Sequence, residues 1–387
     1  MKILHVISSL KIGGAETALY NFLESVQSKG NEHIVAFFHD GPYREKIEAL
    51  GIKTYNINGW LYRYDPGAYF YLKKLVRSCK PDVIHSALWS ANILSRLIAS
   101  HCHIPVMCDL HGNCVDEGRF RNLLDRLTTR KAFAIVAVSN TVHEAYKHHV
   151  YNHPNLITIQ NGINIALVKK RALETPLSRN ELGIPRDAFV IGAVGRLEPI
   201  KSYDVLINAF AQFCERIESS AQPECFASAK CIEGSNASPR ILIVGDGSER
   251  KKLESLCQTL GINDRVIFVG MRPDAQRFYP LFDCFALSSH SEGLSIALLE
   301  ALCFGLPVIT THAFDTHDVI THGVNGFLIP PNDIDTYAKH LEILYNNREL
   351  RGAMREANID RVEKQFSLDA TVNAYASLYQ KAYISRL

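Results

Sequence analysis

The chain has 387 residues, of which 47% are apolar, 21% charged and 9% aromatic. This composition excludes disordered, collagen-like and coiled-coil proteins, and the length predicts two domains or, less simply, one large barrel. The formal net charge of +2 creates no whole-molecule field that would attract nucleic acid, so no nucleic acid is expected as a partner.

Charge is nevertheless distributed unevenly along the chain. Residues 1–175 carry 21 basic and 14 acidic side chains, whereas residues 176–387 carry 21 basic and 26 acidic ones. The first part is therefore suited to face an anionic partner. A chance excess of solvated Lys and Arg explains the same numbers equally well.

Cysteine usage and the amino terminus predict a cytoplasmic protein. Several of the ten cysteines lie inside apolar runs, as Cys284 and Cys303 do, which is typical of buried, reduced thiols. The amino terminus has too short an apolar run for a signal peptide. No stretch approaches the roughly 18 apolar residues of a membrane span. At most, we expect peripheral contact with the cytoplasmic face of a membrane.

Short apolar runs alternate with longer amphipathic ones, the rhythm of βαβ units with buried parallel sheets. The first series of predicted strands comprises 2–8, 32–38, 53–57, 82–85, 105–110, 134–138 and 156–160. The second comprises 189–195, 240–245, 265–270, 283–288, 307–310 and 326–329. The polar segment 161–186 between them predicts a linker. The fold class is therefore α/β, with two doubly wound domains in tandem.

The predicted domains are residues 1–170 and 171–366, and a helix over 367–387 is expected to pack back on the first. Ligands in such sheets bind beyond the carboxyl ends of the strands, so two facing domains would form a central cleft. Segment 214–239 interrupts the rhythm after a helix that ends near Phe213, and it predicts an inserted surface loop.

A glycine pair follows the first predicted strand. Gly13 and Gly14 allow close approach of another group to the backbone, and the next helix, which carries Glu16, points its N-terminus at the same place. The pattern is only weak evidence for a phosphate-binding loop, because it matches neither G-x-G-x-x-G nor a P-loop. A second glycine motif, at 245–250, nearly matches the dinucleotide fingerprint, but Arg250 replaces its third glycine, which disfavours a nicotinamide enzyme.

Two cations bracket the loop after the strand at 189–195. Arg196 as a planar fork and Lys201 as a point charge would neutralise a diphosphate without a metal. Taken alone, the pair is more simply explained as ordinary surface charge.

The most informative segment is 291–307, in which a helix is predicted over 295–304. Glu300 lies in this otherwise apolar helix, and a buried carboxylate requires polar partners such as vicinal sugar or ribose hydroxyls. The alternative is a Glu300 at the solvent edge, paired with a Lys. Glu292 precedes the helix beside three free amides that suit an anion. These amides belong to Gly293, Leu294 and Ser295.

No metal site is predicted. The only Asp-x-Asp pair, Asp333 and Asp335, lies at the start of a helix, where acids stabilise the first turn. Cys108, His111 and Cys114 have suggestive spacing, but a fourth zinc ligand is not evident.

Together, these motifs resemble glycosyltransferase family 4, whose members are retaining enzymes with the GT-B architecture of two facing Rossmann-like domains. The resemblance covers nearly the full length, and its most specific element is the spacing of Glu292 and Glu300. Supporting motifs are Gly13-Gly14 with Glu16, Asn161-Gly162-Ile163, Gly195-Arg196 with Lys201, Val244-Gly245-Asp246-Gly247 and Phe268-Val269-Gly270.

The resemblance implies a role for each matching residue. Arg196 and Lys201 would hold the diphosphate of a UDP- or GDP-sugar donor and stabilise it as the leaving group. Glu292 would bind the transferred sugar and Glu300 the ribose. His111 matches a histidine that contacts the donor sugar, although a structural loop histidine fits equally well. Further donor contacts are implied for Gly14, Glu16, Gly270, Met271, Arg272, Gly293, Leu294 and Ser295.

Two positions and one loop depart from the family pattern. Ser202 and Asn164 stand where glycine and aspartate are common, and the loop at 313–318 lacks the usual glycine-glycine-x-proline-glutamate sequence. Asp318 is the candidate replacement for that glutamate. The resemblance implies no cofactor, and because no carboxylate nucleophile is evident, we expect front-face attack with retention.

The expected acceptor is a glycan or a lipid-linked hydroxyl in surface polysaccharide or glycoconjugate synthesis. Residues 119–131 form an amphipathic, Arg-rich helix and residues 60–74 are aromatic and basic, so both suit an anionic membrane surface. The alternative is a helix whose apolar stripe packs on the core. Three other functions stay open, namely a sugar-nucleotide epimerase, a pyridoxal-phosphate phosphorylase and a non-catalytic nucleotide-sugar-binding module.

Overall fold

Two parallel β-sheets flanked by helices make up the fold in the computed structural model. The structure describes residues 1–27, 30–57, 66–112, 118–150, 153–220, 238–291, 293–312 and 316–386. The chain divides into two units. The first unit comprises Met1–Asn164, Gly293–Ile296 and Phe366–Leu387, and the second comprises Ile165–Glu292 and Ala297–Gln365.

The first unit is built on a seven-stranded parallel sheet of order β3-β2-β1-β4-β5-β6-β7. Its strands are β1 (Lys2–Ser9), β2 (Glu32–His39), β3 (Lys53–Asn56), β4 (Val83–Ala87), β5 (Val106–Leu110), β6 (Ala134–Ala137) and β7 (Leu156–Thr158). Every residue of β4, β5 and β6 is buried, because central parallel strands are covered on both faces. The helices are α1 (Gly14–Val26), α2 (Tyr43–Ala49), α3 (Pro66–Cys79), α4 (Trp89–Cys102), α5 (Arg119–Thr128) and α6 (Asn140–His149).

The second unit is built on a six-stranded parallel sheet of order β10-β9-β8-β11-β12-β13. Its strands are β8 (Val190–Val194), β9 (Arg240–Val244), β10 (Val266–Gly270), β11 (Cys284–Leu287), β12 (Val308–Thr311) and β13 (Gly326–Ile329). Its helices are α7 (Ile165–Glu174), α8 (Tyr203–Ser220), α9 (Arg250–Thr259), α10 (Ile296–Cys303), α11 (Thr316–Val319), α12 (Ile334–Asn346) and α13 (Arg348–Gln365).

Each predicted strand is confirmed to within two residues at either end, but two predictions about the connections are wrong. Segment 161–186 is not an unstructured linker, because it contains α7, whose Val168 and Ala172 are buried one helical turn apart. The helix that was expected to end near Phe213 continues to Ser220. Most of the predicted surface loop at 214–239 lies outside the described residues.

The last helix, α14 (Leu368–Ile384), belongs to the first unit. Its Val372, Tyr375 and Tyr379 lie in the same apolar core as strands β1 and β4. The chain returns to this unit beside Gly162, where a Cβ would overlap the carbonyl oxygen of Ser367. Backbone hydrogen bonds between Ile163 and its neighbours Phe366 and Leu368 fasten the crossing. The Asn-Gly-Ile motif therefore has a structural use, since only glycine permits this approach.

Candidate functional site

The strand order of the second sheet reverses at β8, which pairs with β9 on one side and with β11 on the other. Ligands in open α/β sheets bind at such a switch point, beyond the carboxyl ends of the strands. The loops that follow β8 and β11 are hydrogen-bonded to each other there. The Ser288 hydroxyl donates to the carbonyl of Lys201 at 2.9 Å, and the His290 amide donates to that of Ile200 at 2.9 Å.

Arg196 and Lys201 both lie in the loop after β8. Arg196 is exposed, and its guanidinium forms no hydrogen bond or ion pair with any residue in the described part of the chain. Lys201 is half-buried and ends a short 3-10 turn, Pro199–Lys201. An exposed fork of N–H donors without a protein partner is suited to an anionic ligand, and a phosphate matches its geometry.

Glycines hold the β8 loop close to the loop after β9. A Cβ on Gly245 would overlap the carbonyl oxygen of Gly195, and one on Gly247 would overlap that of Leu197. The Leu197 amide donates to the carbonyl of Asp246 at 2.9 Å. The motif that nearly matched the dinucleotide fingerprint therefore serves loop packing beside Arg196.

Ser202, which departs from the family pattern, adopts a left-handed conformation with φ +47° and ψ +46°. A non-glycine residue is strained there by about 1–2 kcal/mol, whereas glycine is not. We expect Ser202→Gly to raise the free energy of unfolding by about 0.5–1 kcal/mol, because the flexibility that glycine adds to the unfolded chain offsets part of the gain.

Urea denaturation measures this change. Ser202→Ala is the matched control, since it keeps the strain and loses only the 3.3 Å hydrogen bond from the Ser202 hydroxyl to the Pro199 carbonyl. A Ser202→Gly protein less stable than the alanine variant would contradict the strain argument.

Glu300 is buried in α10, with 4% of its surface exposed. Its Oε1 accepts a hydrogen bond from Gln276 Nε2 at 2.5 Å, and its Oε2 accepts one from Tyr279 Oη at 2.8 Å. Burial raises the pKa of Glu300, and the bonds from Gln276 and Tyr279 oppose that rise. The alternative of a solvent-edge Glu300 paired with a Lys is therefore wrong. A carboxylate has about four lone-pair positions, so it can accept further hydroxyl hydrogen bonds.

Of the three residues predicted near the base, Gly270 ends β10, and Met271 and Arg272 follow it at the same edge of the sheet. Gly270 has φ +86°, Met271 is 48% exposed, and Arg272 forms two hydrogen bonds of 2.9 Å with Asp274. Burial acts to raise the pKa of Asp274, but hydrogen bonds from Arg272 and Arg277 outweigh it and hold the pKa at about 2. Arg272 is therefore committed to an internal ion pair, and Met271 offers an apolar surface.

The amides before α10 are placed in the first unit. A Cβ on Gly293 would overlap the carbonyl oxygen of His111, so glycine is required where these two loops meet. Leu294 is buried and Ser295 is half-buried. Glu292, predicted to bind the transferred sugar, lies outside the described residues.

In the first sheet the strand order reverses at β1, which pairs with β2 and β4. Gly14 begins α1 directly beyond β1, and a Cβ on it would meet no atom within 4 Å. Glu16 in the first turn is buried and accepts a hydrogen bond from the Ser9 hydroxyl. Gly14 therefore leaves open space at the helix N-terminus, with a carboxylate fixed beside it.

His111 follows β5 as predicted, and it lies beside a chain of three residues, Asp109, His85 and Tyr379, that the sequence did not reveal as part of the site. Asp109 Oδ2 accepts a hydrogen bond from His85 Nε2 at 2.7 Å and lies 3.9 Å from His111 Nε2. His85 Nδ1 lies 2.7 Å from the hydroxyl of Tyr379. Burial lowers the pKa of His111, Asp109 acts to raise it, and His85 acts to lower it. The available signal was the two ionisable side chains, His85 and Asp109, inside buried strands.

The Asp-x-Asp pair acts as predicted. Asp333 caps α12 by accepting a 3.0 Å hydrogen bond from the Thr336 amide, and Asp335 forms ion pairs with Lys339 and Arg216. No group of three or more metal-ligating side chains suited to an ion occurs among the described residues. Asp318 lies in α11, and residues 313–315 of the altered loop lie outside the described residues.

Three of the four apolar residues of the stripe on α5 are exposed, and the fourth, Leu124, is half-buried. Phe120, Leu123 and Leu127 are 60%, 53% and 66% exposed, whereas Asp125 is buried in an ion pair with Arg96 of α4. The alternative in which the apolar stripe packs on the core is therefore wrong. The same surface carries exposed Arg119, Arg126, Arg130 and Lys131.

The second predicted membrane segment is described only in part. Phe70 and Tyr71 on α3 are 67% and 51% exposed, but Trp60, Tyr62 and Tyr64 lie outside the described residues. Across the described ranges, no helix combines the length and apolarity needed to span a bilayer.

Two family models match nearly the whole chain between them. The model described as Glycosyltransferase Family 4 matches residues 12–167, and the model described as Glycosyl transferases group 1 matches residues 174–361.

Named relatives and solved structures agree with these matches. The chain is 28% identical over 322 residues to D-inositol 3-phosphate glycosyltransferase from Corynebacterium efficiens, which covers 78% of this chain and 71% of that protein. It is 26% identical over 320 residues to UDP-Gal:alpha-D-GlcNAc-diphosphoundecaprenol alpha-1,3-galactosyltransferase from Escherichia coli, covering 80% and 77%. Anabaena HepE in complex with UDP-glucose superposes with a TM-score of 0.82 at 22% identity, covering 98% of this chain and 100% of that one. The predicted two-domain α/β fold of GT-B type is confirmed.

Proposed function

Because the chain belongs to glycosyltransferase family 4, we propose that it is a retaining, metal-independent transferase that moves a sugar from a UDP- or GDP-sugar to an acceptor hydroxyl. UDP-sugars are the first donors to consider. The Anabaena structure holds UDP-glucose, and the name of the E. coli relative specifies UDP-Gal.

One observation carries the proposal: the guanidinium of Arg196, which has no partner among the described residues, lies at the switch point of the second sheet. The carbonyl of Lys201 in the same loop accepts the hydrogen bond from Ser288 that ties the β8 and β11 loops together. A diphosphate bound beside this loop would meet two cations, and further along the edge Met271 offers apolar contact for a base. The buried carboxylate of Glu300 has the capacity to accept vicinal hydroxyls of a ribose.

The chemistry follows from where charge develops. As the bond between the anomeric carbon and the diphosphate oxygen breaks, negative charge grows on the leaving group, and Arg196 and Lys201 stabilise it there. The acceptor hydroxyl then attacks from the same face and transfers its proton to the departing phosphate oxygen, so the anomeric configuration is retained. No protein nucleophile is required in this sequence of events.

Incubation with UDP-glucose, UDP-galactose, GDP-mannose and ADP-glucose tests the donor, with thermal shift and nucleotide release as readouts. A transferase releases nucleotide only when an acceptor or water takes the sugar. An epimerase would convert the donor without releasing nucleotide, a binding module would show a thermal shift but no nucleotide release even when glycan and lipid-linked acceptors are added, and a phosphorylase would show the absorbance of pyridoxal phosphate. Each of these three outcomes would overturn the proposal.

For the acceptor we propose a glycan or a lipid-linked saccharide, in surface polysaccharide or glycoconjugate synthesis, reached at an anionic membrane face. The support is α5, where three exposed apolar side chains accompany the exposed Arg119 and Arg126, and the exposed Lys131 lies in the turn that follows the helix. A helix with apolar and cationic residues on one surface binds at the headgroup level of a bilayer. The ion pair between Arg96 and Asp125 fixes the helix in this orientation, because the opposite one would bury three apolar residues but expel Asp125 from its buried partner.

The triple substitution Phe120→Ser/Leu123→Ser/Leu127→Ser is expected to lower partitioning onto phosphatidylglycerol vesicles by at least about tenfold, since each buried side chain contributes about 1.5–3 kcal/mol. Flotation at low salt measures it. Leu173→Ser is the matched control, because Leu173 is 69% exposed on α7 of the second unit. Wild-type protein that stays in the dense fraction would end the membrane hypothesis.

A further inference from the structure

Asp109 connects His111 to the helix that closes the first unit. The chain of contacts runs from Tyr379 on α14 to His85 on β4, then to Asp109 on β5. Asp109, His85 and Tyr379 are all at least nine-tenths buried. The side chain of His111, at the end of the series, is 12% exposed.

The register of the sheet explains why these residues meet. Ala87 pairs with Asp109, so His85 lies two residues back on the neighbouring strand and on the same face. A cavity of about 40 Å³ adjoins this face and is lined by His85, Asp109, His111 and Tyr375. Burial and the Asp109 carboxylate both raise the pKa of the Tyr375 hydroxyl in this cavity.

Hydrogen-bond chemistry assigns the direction of each contact. An ionised carboxylate only accepts, so His85 Nε2 carries the hydrogen that it donates to Asp109. In the tautomer with one ring proton, Nδ1 of His85 then accepts from the hydroxyl of Tyr379. In this arrangement the Nε2–H of His85 and the hydroxyl of Tyr379 both donate hydrogen bonds, and the Asp109 carboxylate is held 3.9 Å from His111 Nε2.

A carboxylate facing one imidazole nitrogen favours the tautomer with the proton on that nitrogen. We propose that Asp109 is a positioning residue that keeps the proton of His111 on Nε2, so that Nδ1 accepts a hydrogen bond from a hydroxyl of the transferred sugar. This inference rests on the proposed function for its substrate, but the tautomer itself is a property of the protein alone.

Protonation of His111 would remove the Nδ1 acceptor. The titratable groups that line the cavity around it are His5 on β1, His85 on β4, Asp109 on β5 and Tyr375 on α14. Of these, Asp109 is the one that favours the protonated form of His111. Asp109→Asn removes that charge, so the pKa of His111 falls and the acid limb of the kcat profile moves to lower pH.

Long-range ¹H–¹⁵N correlation spectra of the full-length protein test the tautomer directly, with His111→Gln used to assign the signals. Wild-type His111 is expected to show a protonated Nε2 and a bare Nδ1, and Asp109→Asn to show a mixture. A wild-type proton on Nδ1, or an unchanged tautomer in the variant, would overturn the proposal. The wild-type spectrum decides the matter even if the variant does not fold.

Activity supplies the second readout. With the nucleotide sugar that the donor panel identifies, Asp109→Asn is expected to lower kcat about 10- to 100-fold and to shift the acid limb downward. Asp125→Asn is the matched control, a buried aspartate of the same unit whose loss affects stability but leaves the acid limb in place. Absence of all transfer, together with the expected wild-type tautomer, would reject the proposed function and leave the assignment of Asp109 standing.

Discussion

The double substitution Arg196→Ala/Lys201→Ala is expected to lower kcat by at least about 10³-fold while the fold survives. Removal of one preorganised group that stabilises developing charge costs about 10²–10³-fold, and two groups that act on one leaving group are not additive. Arg196 has no partner in the described chain, so its loss leaves no protein group unpaired. Steady-state kinetics with the identified donor measure the effect.

The matched control for this substitution is Arg186→Ala, which removes an exposed arginine of the same unit away from the β8 loop. We expect it to leave kcat within about twofold of wild type, and all variants to retain their midpoint of thermal unfolding. Turnover within tenfold of wild type in the double variant would show that the diphosphate is held elsewhere. The chain would then resemble family 4 in its fold but would not bind the diphosphate through Arg196 and Lys201.

The sheets could be predicted from the sequence because their strands are continuous apolar runs. Central strands such as β4 and β11 are covered on both faces, and all of their residues are buried. Such a strand can be recognised from its composition alone, without deciding which of its faces points to the core. Helix α7 was missed because only Val168 and Ala172 signal its buried face, in a segment rich in proline and charge. Its apolar contacts are made by tertiary packing, which periodicity alone underestimates.

The sequence could point to candidate site residues where the signal is local. Arg196 and Lys201 follow a predicted strand, and Glu300 lies inside an apolar helix. Each is a charged residue next to or within an apolar segment, which makes it recognisable in the sequence. The contact between His85 and Tyr379 spans 294 positions along the chain, and no local pattern encodes it. The orientation of α5 was unpredictable for a related reason, because it depends on the partner of Asp125 on another helix.

Glu300→Gln is expected to weaken binding of UDP or GDP about 10- to 100-fold, because a hydrogen bond to a charged group contributes about 1.5–3 kcal/mol and the amide keeps only one acceptor atom. Isothermal titration calorimetry measures the affinity. Inside the protein the change is well tolerated: a rotated Gln276 amide accepts from the new N–H group, and Tyr279 still donates to the remaining oxygen.

The same substitution should become more favourable to stability as the pH rises. The pKa of Glu300 is raised in the folded state by burial, so the wild-type protein loses stability as the pH increases from the ordinary carboxyl value of 4.5 through the raised pKa. The glutamine variant has no such titration, and its melting temperature relative to wild type is therefore expected to increase as the pH rises from 4.5 through the raised pKa of Glu300. Glu215→Gln, on the exposed face of α8, is the control for loss of a charge alone.

Weaker nucleotide binding by a variant of equal or greater stability would show that the Glu300 carboxylate serves ligand binding. Its buried charge lowers the stability of the folded protein, so stability alone would not favour it. Unchanged affinity, together with a loss of stability that grows with pH, would instead make Glu300 a structural partner of Tyr279. The two outcomes differ in the sign of the stability change, so melting curves at two pH values and a titration with UDP separate them.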